Sequence, residues 1–338
     1  MAESWFTLSR LDQAEALEVA AGKIGRPAHL IEKDIWVVWV LSAIYESSLA
    51  GKLTFKGGTS LSKAYKIIDR FSEDVDLTHD IRELVPDLLR DGNPIPLTAT
   101  QEKKITSAVH SRLPTWIESS VVPVIQQALV KTGIDASLTI GGNEKEKLLI
   151  GYPALKTGTG YATTSIQLEF GARATGEPNR IHDVTCDIAS AITDVAFPVA
   201  RPLVMAAERT FWEKATAAHV YCLQGRLRGV RYSRHWYDLV AIAGSTYYAS
   251  AILDRDLRAN VARHKAMFFA EKDAAGVKVD YHRAVNGAIQ LVPTGASLKA
   301  LEQDYVAMLE DGLLPLGQPT FSEIVESCRA IQVQINRG

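Results

Sequence analysis

Apolar residues recur at helical spacing in two N-terminal segments, residues 7–22 and 28–47, which read as amphipathic helices. The second, "AHLIEKDIWVVWVLSAIYES", fades into small and polar residues where its helix is expected to end. "KLTF" reads as a short strand entering Gly57-Gly58, "SLSKAYKIIDRF" predicts a helix over 60–71, and "DVDLTHDI" predicts a strand. In that strand polar and apolar positions alternate at Asp74, Val75, Asp76 and Leu77. Residues 101–131 read as helical. Four strands follow at "ASLTIGG", "KLLIGYPA", "TTSIQLEFGAR" and "HDVTCDIA", separated by Gly and Asn turns. From about residue 203 the spacing is helical again, over 203–224, 235–248, 251–270, 297–311 and 320–335. The pattern is a mixed α/β domain over 1–200, then a mainly helical domain over 201–338, with a soft boundary near Pro198–Pro202.

Composition narrows this picture. The chain of 338 residues carries 37 Lys and Arg against 39 Asp and Glu, so it lacks the strong basic balance of a protein that coats nucleic acid without specificity. Its longest apolar run, "IWVVWVLSAIY", is too short to span a bilayer, and the acidic N-terminus does not read as a signal peptide. Cys186, Cys222 and Cys328 are odd in number and widely spaced, which suits a reducing cytoplasm and not a disulfide framework. The eight histidines show no metal-ligand spacing, although His79 follows the acidic strand by three residues. Trp36, Trp39, Trp212 and Trp236 fall at helical positions expected in a core.

The chemistry gathers in "FKGGTSLSKAYKIIDRFSEDVDL". On a strand, Asp74 and Asp76 share a face, with Cβ atoms roughly 6–7 Å apart, while Val75 points to the opposite side. Two carboxylates so placed suit a hard cation such as Mg²⁺. Gly57 and Gly58 permit close approach to the main chain, and Thr59 and Ser60 open a helix whose free N–H groups favour an anion. Lys56 and Lys63 flank this turn and add positive charge, and Lys63 is expected to bind the nucleotide. A phosphate cradle beside a metal cradle is what phosphoryl or nucleotidyl transfer requires. "GGTSLSK" is not a Walker P-loop, because the four-residue spacing before Gly-Lys is missing.

These segments resemble the AbiEii/AbiGii toxin family of nucleotidyltransferases, which includes the MenT toxins. The resemblance is carried by "LIEKDIWVVWVLSAI", "LTFKGGTSLSKAY", "RFSEDVDL", "ERTFWEKATAAH" and "RHWYDLVAI", and runs from about Ile31 to the C-terminal "FSEIVES". It implies a DNA polymerase β-like nucleotidyltransferase core with a mixed sheet, completed by the helical C-terminal region. It also implies a nucleoside triphosphate substrate, Mg²⁺ or Mn²⁺ as cofactor, and a role in type IV toxin–antitoxin or phage-defence systems with a cognate antitoxin as partner. Some members add nucleotides to the tRNA acceptor end and halt translation. Position by position, the family's Gly-[Ser/Thr] motif falls on Gly58 and Thr59, its metal pair on Asp74 and Asp76, and its preceding serine on Ser72. Its later lysine falls on Lys214 and its later aspartate on Asp238.

Lys214 is then expected to neutralise charge on the leaving pyrophosphate, and Asp238 to position Lys214 or the nucleotide. A third carboxylate, acting on the attacking hydroxyl, is expected at Glu169 on the polar face of "SIQLEFGAR", with Asp183 and Asp187 as rivals. "GRLRGVRYSRHWY" interleaves Arg226, Arg228, Arg231 and Arg234 with aromatics, a composition suited to phosphate or RNA. Two other readings stay open. The acceptor can be a protein side chain, as in enzymes that AMPylate serine or tyrosine. Alternatively, the chain can be a silent nucleotide-binding module acting through a partner surface on its C-terminal helices.

Overall fold

The computed structural model describes residues 2–72, 74–156, 164–225, 231–310, 313–315 and 317–337. The chain packs as two compact units. Unit 1 comprises Met1–Ala64, Phe71–Pro94 and Lys104–Met205; unit 2 comprises Tyr65–Arg70, Ile95–Lys103 and Ala206–Gly338.

In unit 1, β1 (Glu3–Ser4), α1 (Arg10–Ile24) and α2 (Ala28–Tyr45) precede β2 (Leu53–Lys56), α3 (Gly57–Lys63), β3 (Asp74–Asp80) and α4 (Ile81–Leu84). Next comes α5 (Ala99–Trp116), which belongs to this unit from Lys104 onward, and then α6 (Val122–Thr132). The remaining strands are β4 (Ser137–Gly141), β5 (Lys147–Gly151), β6 (Ser165–Ala174), β7 (Asn179–Ile181), β8 (Val184–Thr185), β9 (Val195–Ala196), β10 (Val199–Ala200) and β11 (Leu203–Met205). Seven of these strands form one mixed sheet in the order β4-β5-β6-β3-β2-β11-β7. The pairs β3/β6 and β2/β11 are parallel, and the other neighbours are antiparallel.

The apolar run of α2 leaves it no polar face, and from Leu30 to Leu41 every residue is buried. Its acids are therefore obliged to find partners. Glu32 accepts the N–H groups of Leu155 and Lys156 at 2.8 and 3.0 Å. Asp34 accepts the N–H of Asp187 at 2.7 Å and pairs with Lys63 at 2.5 Å.

Several expected elements end elsewhere. The helix expected over 60–71 begins at Gly57 and stops at Lys63. Lys66 is left-handed at φ 53°, and Tyr65–Arg70 belong to unit 2, where Arg70 is held by an ion pair described below. The strand expected over 182–189 is limited to Val184–Thr185, and Asp187–Ser190 form a 3₁₀ turn. The Asp34 carboxylate takes the Asp187 N–H that a sheet ladder would use. Leu203–Met205, read as the start of a helix, form a strand beside β2; three apolar residues carry no usable period. The helix expected over 101–131 is interrupted by a π turn at Ile117–Val121. Pro123 lies four residues after Ser119 in that turn, so its ring crowds the Ser119 carbonyl and it lacks the N–H for a regular bond.

Unit 2 contains α7 (Ala207–Gln224), α8 (Arg234–Ala243), α9 (Tyr247–Leu253), α10 (Arg255–Phe268), α11 (Tyr281–Arg283), α12 (Gly295–Glu310) and α13 (Phe321–Arg337). Trp212 and Trp236 are buried in its core, their indole N–H groups donating to the carbonyls of Ala251 and Leu291. Asp254 caps α10 by accepting from Leu257 N–H, which separates α9 from α10. Among the described residues no helix is long and apolar enough to cross a membrane.

Lys63 shows how unit 1 is pinned. Its ammonium lies between Asp34 and Asp187, at 2.5 and 2.6 Å, and Asp187 also pairs with Arg26. Burial alone would lower the Lys63 pKa, but the two carboxylates outweigh it and hold the ammonium above its usual range. Replacing Lys63 by Met leaves a buried carboxylate without its cation. Urea unfolding is expected to show a loss of about 3 kcal/mol, at the low end for broken buried pairs because the Asp187 side chain is 32% exposed.

Candidate active site

β2 and β3 pair antiparallel with Lys56 opposite Asp76, and β3 and β6 pair parallel with Asp74 opposite Gln167 and Asp76 opposite Glu169. Residues in register share a face, so Asp74, Asp76, Gln167 and Glu169 form a half-buried polar patch, while Val75, Leu77, Leu168 and Phe170 fill the other face. Gln167 Nε2 donates to Asp74 Oδ1 at 3.2 Å. Lys147, on β5 opposite Glu169, pairs with Glu169 Oε2 at 3.0 Å. Burial would lower Lys147, but the hydrogen bond and charge of Glu169, with the charges of Asp74 and Glu146, hold it above the usual lysine range.

The turn between β2 and α3 comes very close to this patch. Gly57 has φ 79°, and a Cβ built on it would lie 1.9 Å from Asp76 Oδ2. Only glycine fits there, on both counts. Gly58 is buried in the first turn of α3. Thr59 and Ser60 are also buried, and their hydroxyls serve the fold. Thr59 Oγ1 donates to the carbonyl of Asp74 at 2.5 Å and lies 3.0 Å from Ser72 Oγ, and Ser60 Oγ donates to the Gly57 carbonyl at 2.9 Å. Thr59 therefore ties α3 to the start of the acidic strand. An anion can use only the first-turn N–H groups that a helix leaves unbonded.

The expectation that Lys63 binds nucleotide is corrected here, because its ammonium is enclosed by Asp34 and Asp187. Of the rival carboxylates, Asp187 belongs to that same network and Asp183 makes an exposed pair with Arg201. His79 is buried, its Nδ1 3.0 Å from the Asp80 carbonyl and its ring edge-on to Trp116. Among the described residues no group of three or more His, Cys, Asp and Glu gathers closely enough to hold a metal. The Asp74 and Asp76 pair does fit a hard divalent ion in donor type: adjacent carboxylates on one half-buried face.

Unit 2 holds the other expected residues. Asp238, fully buried on α8, receives Arg70 Nε and Nη2 on its two oxygens at 2.7 Å each, and pairs with Lys214 of α7 at 2.7 Å. Glu213, the neighbour of Lys214 in the chain, pairs with Arg209. Burial would raise the Asp238 carboxyl, yet the charges of Arg70 and Lys214 hold it far below the usual carboxylate range. Lys214 is lowered as well, first by burial and then by Arg70 and Arg234, against the pull of Asp238. The two shifts differ in cause: paired cations stabilise the Asp238 carboxylate, whereas burial is the main influence on Lys214.

Arg231 sits at φ 60°, with its N–H bonded to Asp304, which also accepts from Ser233 N–H and Oγ. Arg234 opens α8 beside the Asp238 cluster, and Arg226 and Arg228 lie outside the described residues. Sequence reasoning missed Arg70. The only available signal was its basic charge just before the acidic strand, in a segment read as an ordinary helix.

Gly57→Ala is expected to cost about 2 kcal/mol or more in urea unfolding. Gly25→Ala, left-handed at φ 73° but with open space around its Cβ, serves as the control and costs less. Asp238→Asn is expected to cost about 3–5 kcal/mol at pH 7, because two buried cations lose their counter-ion. The folded-state pKa of Asp238 lies below its unfolded value, so its contribution is complete above that unfolded value, near 4. It is lost as the pH falls through the folded value. The stability gap between wild type and variant narrows accordingly in urea titrations below about pH 4.

No curated protein matches the chain. Among solved structures it is similar to MenT4, the nucleotidyltransferase toxin Rv2826c from Mycobacterium tuberculosis H37Rv, at 15% identity with a TM-score of 0.42, covering 98% of this chain and 97% of that one. The family described as nucleotidyl transferase AbiEii toxin, type IV TA system, matches residues 39–327. Membership implies a nucleotide substrate and an antitoxin partner. A match over most of the sequence, including the Gly57 turn, the Asp74–Asp76 strand, Lys214 and Asp238, shows that the chain belongs to the AbiEii family of nucleotidyltransferase toxins of type IV toxin–antitoxin systems.

Proposed function

We propose that this protein transfers a nucleotidyl group from a nucleoside triphosphate to the 3′-terminal hydroxyl of an RNA, the tRNA acceptor end, and thereby blocks translation in the cytoplasm until a cognate antitoxin neutralises it. The observation that carries this reading is the contact of Asp76 with the bare backbone of Gly57, which sets an acidic pair and a helix-opening turn against each other within unit 1. Asp74 and Asp76 would hold Mg²⁺ or Mn²⁺, which supplies positive charge to the polyphosphate and the acceptor oxygen. The first-turn N–H groups at Gly58, Thr59 and Ser60 bind phosphate oxygens. In unit 2 the ammonium of Lys214, held by Asp238, is assigned to the β- and γ-phosphates, and Arg231 and Arg234 are assigned to the same ligand.

In the transfer, the acceptor hydroxyl oxygen bonds to the α-phosphorus while the bond from that phosphorus to the β-bridging oxygen breaks. Pyrophosphate leaves with the electron pair. The hydroxyl proton passes to the carboxylate of Glu169, which stands in register with Asp76 and is oriented by Lys147.

Asp76→Asn keeps the shape and removes the charge. Transfer of labelled nucleotide is expected to fall at least about a thousandfold, with the circular dichroism spectrum unchanged. A folded Asp76→Asn protein with wild-type transfer would overturn the assignment. Incubating wild-type protein with each labelled triphosphate and cell extract identifies the acceptor: label lost to RNase but stable to protease supports RNA. Label lost only to protease replaces RNA with a protein acceptor.

A further inference from the structure

On the half-buried face of the sheet, β6 sets two residues against the acidic strand: Gln167 opposite Asp74, and Glu169 opposite Asp76. Their side chains have different partners. Glu169 pairs with the ammonium of Lys147 at 3.0 Å, which offsets its charge. Gln167 lies with Nε2 3.2 Å from Asp74 Oδ1, and chemistry fixes the direction of that bond, because a carboxylate accepts and only the NH₂ end of the amide donates. An ammonium there would orient Asp74 and cancel its charge. The neutral amide orients it and leaves the charge for a cation.

The main chain of the same residue is held as well, by Thr59 Oγ1 on the Asp74 carbonyl. Residue 74 is thus tied to both α3 and β6. Mg²⁺ demands near-ideal octahedral geometry and commonly takes only one or two carboxylates from a protein. With so few ligands the orientation of each weighs more, and a ligand ordered beforehand loses less entropy on binding. Strand pairing alone does not need the amide, because the β3/β6 ladder is already joined through its main chain.

We propose that Gln167 is a positioning residue of the metal site, whose side-chain amide sets the Asp74 carboxylate for a divalent cation without neutralising it. This rests on the reading of Asp74 and Asp76 as metal ligands given above.

The test uses the full chain and Mn²⁺ alone, with free Mn²⁺ followed by electron paramagnetic resonance, so metal binding is read without transfer. Wild type is expected to bind, and Asp74→Asn to lose that binding. Gln167→Met, similar in length but without a donor, is expected to weaken Mn²⁺ about tenfold, or about 1.4 kcal/mol. In transfer kinetics the Mg²⁺ concentration giving half-maximal rate is expected to rise by a similar factor, with KM for the triphosphate at saturating Mg²⁺ within about twofold of wild type. In unsubstituted protein, the ¹⁵N resonance of the Gln167 side-chain amide is expected to shift on adding Mg²⁺.

Wild-type Mn²⁺ affinity in folded Gln167→Met, an unmoved Gln167 amide resonance, or a kinetic effect confined to KM for the triphosphate would each overturn the proposal. A variant that loses stability in urea but keeps its Mn²⁺ affinity reduces Gln167 to a packing role. If Mn²⁺ is lost in Asp74→Asn and kept in Gln167→Met, this inference fails and the acidic pair stands. Mn²⁺ binding untouched by Asp74→Asn removes the metal reading itself, so the two fail separately.

Discussion

Asp76 and Gly57 touch where no side chain can stand between them, and the local architecture of unit 1 follows from that contact. The carboxylate lies against the main chain only because residue 57 has no Cβ and adopts a left-handed backbone. The register of β2 with β3 brings the two residues together, and the Thr59 hydroxyl on the Asp74 carbonyl anchors the helix that follows. A one-residue slip of β3 would turn both aspartates into the apolar layer and Val75 out of it. The acidic pair is therefore a property of sheet pairing as much as of residue choice.

Two buried charge clusters illustrate opposite balances. In unit 1 the Lys63 ammonium faces two carboxylates and has a rigidly structural environment. In unit 2 the Asp238 carboxylate faces Arg70 and Lys214, with Arg234 nearby. The first cluster is satisfied by the protein itself. Beside the second, His235 Nδ1 is buried without a hydrogen-bond partner among the described residues. The lysine beside the glycine turn is thus enclosed by two carboxylates, and the lysine in the middle of a helix shares one carboxylate with an arginine.

Nucleotidyl transfer places few covalent demands on the enzyme and large electrostatic ones, so positioning and charge account for most of the catalysis. Here the acidic patch lies on the central strands of a seven-stranded sheet, while Lys214 and Asp238 lie on the packed helices α7 and α8 and Arg70 comes from the segment Tyr65–Arg70.

The acidic strand, the glycine turn, the strands around Leu148 and Leu168 and the existence of helix α2 were legible in the sequence, because each depends on local period and residue type; the burial of α2 on every side, where an amphipathic helix was expected, was not. Lys214 and Asp238 were legible only through family resemblance, since a helix shows its neighbours at three and four residues and hides what another helix brings to it. Arg70, the enclosure of Lys63, the β11 strand and the unmet nitrogen of His235 depended on contacts made across long stretches of chain. The sequence by itself determined which residues carry acid, base and backbone freedom. Only the tertiary structure decided which charges neutralise one another, because burial makes the partner, and not the residue, set the energy of a charge.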